Sequence, residues 1–379
     1  MRVAIIEPVG GHRGMNYYDF GLAGGLAAGG LKATVYTSDR TVVPIGVPFQ
    51  VKCSFKKVWG DTPKFLRAAR FIACLVYSLL DARRMRAIIV HYHFFHYSFL
   101  ELLCVTLARA LGFRIVITAH DVESFGDSNS FTSAAKILSR ADRVIAHNEV
   151  SKKELISRIN LSPSRLAVIP HGNYLDWIPN HIEPSEARRR LGLPLDFPIL
   201  LFFGQIKAVK GLDVLLQALP QTVARFPKLK LVVAGKVWKD DFSKYEAFIR
   251  ENNLEKNVIL NIRYIPDDEV ALFFRSADLV ILPYRKIYQS GVLLMAMSYD
   301  VPVMVSDLAG MVEIVKDGQN GFVFRCGDAH SLGESLIAAL ADPRHRGRVT
   351  SAGYETVVRN HGWNRIGRLT VELYRSLGA

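Results

Sequence analysis

Cysteine is scarce: Cys53, Cys74, Cys104 and Cys326 are the only four in 379 residues. They lie far apart and form no C-x-x-C pair, which argues against a disulfide framework and a thiolate zinc site and fits a reducing cytosol. Long apolar runs are missing as well. The longest, Phe71 to Leu80, is half the roughly 20 residues that a spanning helix needs, so no transmembrane segment is expected. The opening MRVAIIEPVGG has too short an apolar run for a signal-peptide core and reads as a first strand. No low-complexity tract occurs, and the predicted strand ends carry no paired aspartates of the kind that hold a metal against a diphosphate. Activity is therefore expected without a bound metal and without a cofactor.

What is present describes a packed globular chain. Half the residues are hydrophobic and 22% are charged, and a length of 379 exceeds the roughly 250 to 300 residues of a single core, so two domains are expected. The formal net charge is +13, and it is uneven. Residues 1 to 180 hold 22 Lys+Arg against 13 Asp+Glu (+9), and 181 to 379 hold 26 against 22 (+4). Lys52 to Arg86 alone has nine cations and two acids. The positive field thus belongs to the first half and points to an anionic partner. No nucleic-acid module accompanies it, and the basic cluster is interleaved with aliphatic runs, so nucleic acid is not the expected partner.

Short β-branched runs alternate with helical patterns from end to end, the mark of βαβ units and parallel sheets. In the first half the predicted strands are Val3 to Glu7, Thr34 to Thr37, Ile88 to His93, Arg114 to Thr118, Arg143 to His147 and Ala167 to Pro170, with helices over Gly21 to Gly29 and Tyr97 to Ala110 among the intervals. A second series runs Ile199 to Phe203, Leu229 to Ala234, Val258 to Leu260, Leu279 to Pro283, Pro302 to Ser306 and Gly321 to Phe324. Between the series lies a segment with prolines at Pro179, Pro184, Pro194 and Pro198, which places a domain boundary near residue 180. The expected units are 1–180 and 181–379. Ser351 to Leu377 is helical in pattern and able to pack back on the first domain.

Ligands of such sheets meet the carboxyl ends of the strands, so the residues that follow each strand matter most. After the first strand, Gly10 and Gly11 would let a phosphate or sugar approach the backbone, or simply make a turn. After the fourth come Thr118, His120 and Asp121, the aspartate suited either to cap a helix or to orient the imidazole. In the second half, Gly204 ends a strand, and Lys207 and Lys210, three apart near a helix start, are suited to neutralise a diphosphate. Ser290 and Gly291 open an apolar helix whose first-turn N–H groups can bind a phosphate.

The run SGVLLMAMSYDVPVMVSDLAGMVEIVKDGQNGFVF closely resembles the donor-binding core of the retaining group 1 glycosyltransferases. IPHGN at 169 to 173, FFGQIKAVKG at 202 to 211, IPDDEVALFFRSADLVILPY at 265 to 284 and Thr118 to Asp121 match the same family in order. The resemblance implies a GT-B fold, two Rossmann-like domains facing each other across a cleft, and transfer of a sugar from a nucleoside diphosphate sugar. It implies that His120 contacts the donor sugar, with Asp121 beside it, and that Gly11, Lys207, Lys210, Ser290, Gly291 and Val292 serve the diphosphate. Gly204, Tyr264, Ile265 and Met295 fall at nucleotide positions, and Gly10, Tyr288, Gln289 and Glu313 at sugar positions. A lipid-linked or oligosaccharide acceptor and a peripheral place on an anionic cytoplasmic membrane face follow from the basic, aliphatic segment at 64 to 86.

Three positions depart from the family. Two glutamates usual in the helix region are here Ile287 and Met295, and an arginine usual after the strand glycine is Gln205, with Lys207 a replacement. The departures admit a second reading, a noncatalytic partner of the same fold; a phosphorylase or a nucleotide-sugar epimerase matches the motifs less closely.

Overall fold

The structure, a computed structural model, describes residues 1–11, 15–121, 130–178 and 182–378. The chain divides into two compact units, Met1–Gly172 with Asn360–Ala379, and Asn173–Arg359. The boundary expected near 180 lies a few residues past this division, at positions outside the described residues.

Unit 1 runs β1 (Arg2–Glu7), α1 (Met15–Ala28), β2 (Lys32–Ser38), β3 (Gln50–Phe55), α2 (Lys64–Arg84), β4 (Ile89–Phe94), α3 (Phe99–Ala110), β5 (Arg114–Ala119), α4 (Ser130–Leu138), β6 (Arg143–Ala146), α5 (Glu149–Ile159) and β7 (Leu166–Val168). Its sheet has the order β3-β2-β1-β4-β5-β6-β7, and its pairings are parallel. The central strands are buried on both faces, as in a sheet covered by helices on both sides; β4 and β5 are buried over almost their whole lengths, and β4 carries the polar His91 and His93 there. Strand order reverses between β1 and β4, so the crevice for a ligand lies where those strands end.

Unit 2 runs α6 (Pro184–Arg190), β8 (Ile199–Phe203), α7 (Leu212–Arg225), β9 (Lys230–Ala234), α8 (Ser243–Glu251), β10 (Val258–Asn261), α9 (Asp267–Ser276), β11 (Leu279–Leu282), α10 (Gly291–Ser298), β12 (Val303–Ser306), α11 (Ala309–Val312), β13 (Phe322–Phe324), α12 (Ala329–Ala341) and α13 (Pro343–Asn360). Its parallel sheet has the order β10-β9-β8-β11-β12-β13, with the reversal between β8 and β11. Two layers of core flank it, one with Leu215, Leu219 and Leu336, the other with Phe273, Phe274, Leu293 and Met297.

The C-terminal stretch is not one helix. An extended Gly362 separates α13 from α14 (Trp363–Arg375), and α14 belongs to unit 1. It packs on α1, where Gly25 and Gly367 face each other so closely that a Cβ on either would collide with the other helix's backbone. The Trp363 indole fills the space over Gly21 and Gly172, so a side chain at either position would strike the ring.

Candidate functional site

Unit 1 gathers histidines at the carboxyl ends of consecutive strands. His91 and His93 come from β4, His120 follows β5, His147 follows β6, and His171 follows β7. The Tyr18 ring, carried in by α1, lies 4.9 Å from His93, 4.7 Å from His120, 5.5 Å from His147 and 5.0 Å from His171, centroid to centroid. His120 also stacks on Phe95 at 4.3 Å. Burial is the largest cause holding the imidazoles of His120 and His147 well below the ordinary value of 6.5, with neighbouring imidazoles adding to it. They are neutral at physiological pH.

Neutrality fixes which nitrogen carries each proton. His147 Nδ1 lies 3.0 Å from the Ile169 carbonyl, which can only accept, so the proton sits on Nδ1. His147 Nε2 is then an acceptor, and at 3.3 Å from His120 Nδ1 it takes the His120 proton there. His120 Nε2 is left with its lone pair. The relay therefore fixes His120 as a neutral imidazole protonated on Nδ1, with its buried Nε2 in the acceptor state. His91 ties the group to the C-terminal helix, bonding Tyr374 Oη at 2.6 Å and Thr118 Oγ1 at 2.8 Å.

Asp121 is partly buried, and its carbonyl accepts from Tyr97 Oη at 2.8 Å. Residues 122 to 129 lie outside the described residues, and with them any helix that Asp121 would cap. Gly10 and Gly11 have reasons of their own to lack side chains. A Cβ on Gly10 would strike Thr37 and Thr41, and one on Gly11, whose φ is +78°, would strike the Arg40 backbone. The turn's demand for glycine is thus explained by packing on the end of β2.

In unit 2 the residues predicted for the diphosphate converge on the switch point. Gly204 follows β8, and a Cβ there would stand 3.6 Å from Val292 Cγ2, which places the strand end beside the first turn of α10. Ser290 is the N-cap of α10, its hydroxyl accepting from Leu293 N at 3.2 Å. The amides of Gly291 and Val292 head the helix with no intrahelical carbonyl to bond. Across the same end of the sheet, Lys207 begins a short 3₁₀ turn over Ala208–Lys210. Lys210 lays its ammonium 3.6 Å from the centre of the Tyr284 ring, just after β11. Gly211 then turns with φ +68°, a left-handed conformation that favours glycine, against the Pro283 carbonyl. A cation, a ring that holds it and a helix N-terminus suit an anion of diphosphate size.

The other predicted positions separate. Tyr264 is exposed, whereas Ile265 is buried in the core and offers no side-chain surface to a base. Met295 and Ile287 are half-buried against the same core. Tyr288 is buried, its carbonyl next to Gly310 of α11; Gln289 is half-buried, and Glu313 is exposed at the end of α11. Sequence reasoning did not single out Tyr18, His91, His93, His147 or Tyr284. A histidine at or just past four predicted strand ends was the signal available.

A family profile described as "Glycosyl transferases group 1" matches residues 184–356, and one described as "Glycosyltransferase Family 4" matches residues 12–176. A D-inositol 3-phosphate glycosyltransferase of Nocardioides sp. is 27% identical over 252 residues, 63% of this chain and 55% of that protein. The chain thus spans little more than half the length of the first curated relatives it matches, 58% and 57% for two others of the same name, and 90% of a fourth, from Arthrobacter sp.. Sucrose-phosphate synthase from Thermosynechococcus elongatus has a TM-score of 0.78 at 20% identity, over 100% of this chain and 99% of that one. HepE of Anabaena, in complex with UDP-glucose, has 0.76 at 17%, over 99% and 100%. These likenesses identify the fold as GT-B, and two glycosyltransferase profiles between them span nearly all of a sequence whose motifs stand at the strand ends described above: residues 184–356 match the group 1 glycosyltransferases and residues 12–176 glycosyltransferase family 4.

Proposed function

We propose that this protein transfers a sugar from a nucleoside diphosphate sugar to an acceptor hydroxyl with retained anomeric configuration, in the assembly of a glycolipid, exopolysaccharide or cell-surface polysaccharide. The observation that carries the reading is the arrangement at the switch point of the second sheet. There Lys210 and the first-turn amides of α10 present positive charge in fixed positions, the electrostatic stabilisation that a departing diphosphate needs. That charge takes the place a metal ion would otherwise fill, so the diphosphate chemistry runs without one. His120 holds the sugar through its lone-pair nitrogen. With Ile287 and Met295 at the usual glutamate positions, no carboxylate stands there as a nucleophile, which favours attack and departure on one face of the sugar.

The outer face of α2 supports a cytoplasmic, membrane-peripheral place. Leu75, Ser78, Leu79 and Ala82 face the core, while Phe65, Tyr77 and Leu80 are 71%, 55% and 45% exposed among Lys64, Arg67, Arg70 and Arg84. No helix among the described residues is long and apolar enough to cross a membrane. Bulky apolar groups interleaved with cations fit the interface of an anionic bilayer, where a lipid-linked acceptor would sit. Loss of anionic-vesicle co-sedimentation on replacing Arg67, Arg70 and Arg84 by glutamine is the expected result, and no binding at low salt refutes it.

The packing of Ile287 and Met295 into the core also suits a noncatalytic partner protein. A screen of radiolabelled nucleotide sugars, UDP-glucose first, against a membrane lipid extract decides between the readings. Transfer to lipid supports the enzyme. Neither transfer nor slow hydrolysis with any donor supports the partner.

A further inference from the structure

The end of β1 and the neighbouring end of β4 hold three buried ligand-capable side chains that the transfer reaction does not use. The parallel register pairs Ile6 with Tyr92, so the next positions, Glu7 and His93, stand side by side. Asp19 reaches them from α1. Their exposures are 1%, 5% and 1% for Glu7, His93 and Asp19. Each offers one carboxylate oxygen or ring nitrogen within 4.8 Å of the other two.

Only part of their bonding capacity is met. Glu7 Oε1 accepts from Val9 N at 2.7 Å, and Asp19 Oδ1 pairs with His93 Nδ1 at 2.7 Å. Among the described residues, Glu7 Oε2, Asp19 Oδ2 and His93 Nε2 are buried with no hydrogen-bond partner. Two carboxylates are thus enclosed with no fixed cation among the described residues paired to either, and burial pushes Glu7 up to about 8 and Asp19 well above its usual range. Buried polar atoms almost always have a partner, and an ion is one such partner.

We propose that Glu7, Asp19 and His93 form a binding site for one first-row divalent cation in unit 1. Two carboxylates and a neutral imidazole balance a charge of +2, which removes the electrostatic cost of burying the acids together. Oxygen with imidazole nitrogen is a donor set for Mn²⁺, Fe²⁺ or Zn²⁺, whereas Mg²⁺ demands near-octahedral oxygen ligation and retains waters. Bonds of about 2.1 Å hold tetrahedral ligand atoms about 3.4 Å apart, so a pair at the 4.8 Å limit must close by about 1.4 Å on binding. Binding displaces the carboxyl protons of Glu7 and Asp19 and leaves His93 a neutral imidazole, its one proton on the nitrogen that does not ligate.

The site lies in the unit without Lys210 and α10, so it is compatible with metal-free diphosphate chemistry, but it departs from the sequence expectation of no metal in the chain. It would join β1, α1 and β4 at the point where α1 delivers Tyr18, next to Asp19, against His120.

The full chain, stripped with chelator and exchanged into metal-free buffer, is titrated with MnCl₂ under electron paramagnetic resonance. In parallel it is loaded with ZnCl₂ and passed through gel filtration before metal analysis. One equivalent per chain is expected to be retained, falling at least tenfold in the isosteric variants Glu7→Gln and Asp19→Asn, with His330→Ala unchanged as a surface control. No retained equivalent in the parent chain overturns the site, as does equal retention in a folded Glu7→Gln or Asp19→Asn. Should neither variant fold, pulsed resonance on the parent chain decides: histidine nitrogen coupling to the bound Mn²⁺ supports the site, and its absence overturns it.

Discussion

The relay from the Ile169 carbonyl through His147 to His120 makes a prediction that separates chemistry from folding. Truncating His120 to alanine confounds the two. It removes a ring stacked on Phe95 and strands the buried His147 Nε2, at about 1–3 kcal/mol for the lost donor alone. Asparagine is the better probe, because its amide N–H can stand where Nδ1–H stood and keep the 3.3 Å link to His147, while nothing replaces the lone pair of Nε2. His120→Asn should therefore lower kcat by 10²-fold or more, about 2.7 kcal/mol, as removal of a transition-state contact does. Its stability should stay within about 1.5 kcal/mol of the parent, the scale of one hydrogen bond. Affinity for the nucleoside diphosphate, which the proposed function assigns to residues of unit 2, should be unchanged.

His147→Leu tests the relay itself. It leaves His120 in place and removes the acceptor that selects its tautomer. A neutral hydrogen bond contributes about 1 kcal/mol, so kcat should fall about fivefold, well short of the loss in His120→Asn. Turnover, calorimetric affinity for the diphosphate and urea unfolding on the same preparations make the test. Near-normal turnover in folded His120→Asn, or a loss in His147→Leu as large as in His120→Asn, refutes the assignment of roles.

Lys210→Ala should weaken nucleoside diphosphate binding and lower kcat together, because the charge acts before and during bond cleavage; unchanged affinity by calorimetry would remove Lys210 from the site. Adding Mg²⁺ or Mn²⁺ to a transfer assay should change kcat less than twofold, and a tenfold stimulation would show that the diphosphate recruits a metal. Stability should fall on acidification. Burial depresses His91, His93, His120, His147, His171 and His361 below 6.5, His93 and His171 to about 4. Their contribution is therefore complete above pH 6.5 and lost as pH drops toward 4, at up to about 1.4 kcal/mol per pH unit for each. Glu7, raised to about 8, and Asp19, raised well above its usual range, have the opposite sign, losing their contributions as pH rises from about 4, but they are two groups against six. Equal urea midpoints at pH 7 and pH 5 would refute this.

Much of this was legible because strand cores in parallel sheets are continuous β-branched runs and glycine or proline marks their ends. β3 escaped because QVKCSF is an edge strand: Lys52 and Cys53 are only half-buried, and an edge needs no apolar run. The stretch from 351 to 377 reads as one helix because its apolar period continues across the break. What interrupts it is Gly362, and the demand comes from Trp363 filling space over Gly21 and Gly172, contacts far away in sequence. Gly10 and Gly11 were visible as turn glycines, but the groups that forbid a Cβ there, the Thr37 and Thr41 side chains for Gly10 and the Arg40 backbone for Gly11, belong to another strand and its loop. Tyr18 could not be found by pattern at all. Its place among the histidines depends on the rotation of α1 over the sheet, which the close approach of Gly25 to Gly367 sets.

The positions that depart from the family have a physical logic of their own. A glutamate at 295 would stand on a helix face half-buried against the core, where its charge needs ligand hydroxyls or a cation to offset desolvation. Met295 and Ile287 meet that requirement by packing against the apolar core that already surrounds them. The donor side is then left with charge that is fixed whether or not ligand is present. The amides of Gly291 and Val292 are held by the helix and its Ser290 cap, and the Lys210 ammonium rests on the buried Tyr284 ring. Such groups act on the diphosphate common to all nucleotide sugars, and they need no reorganisation as its charge develops. On the proposed function, the weight of recognition in unit 2 shifts from ribose and sugar hydroxyls toward the diphosphate.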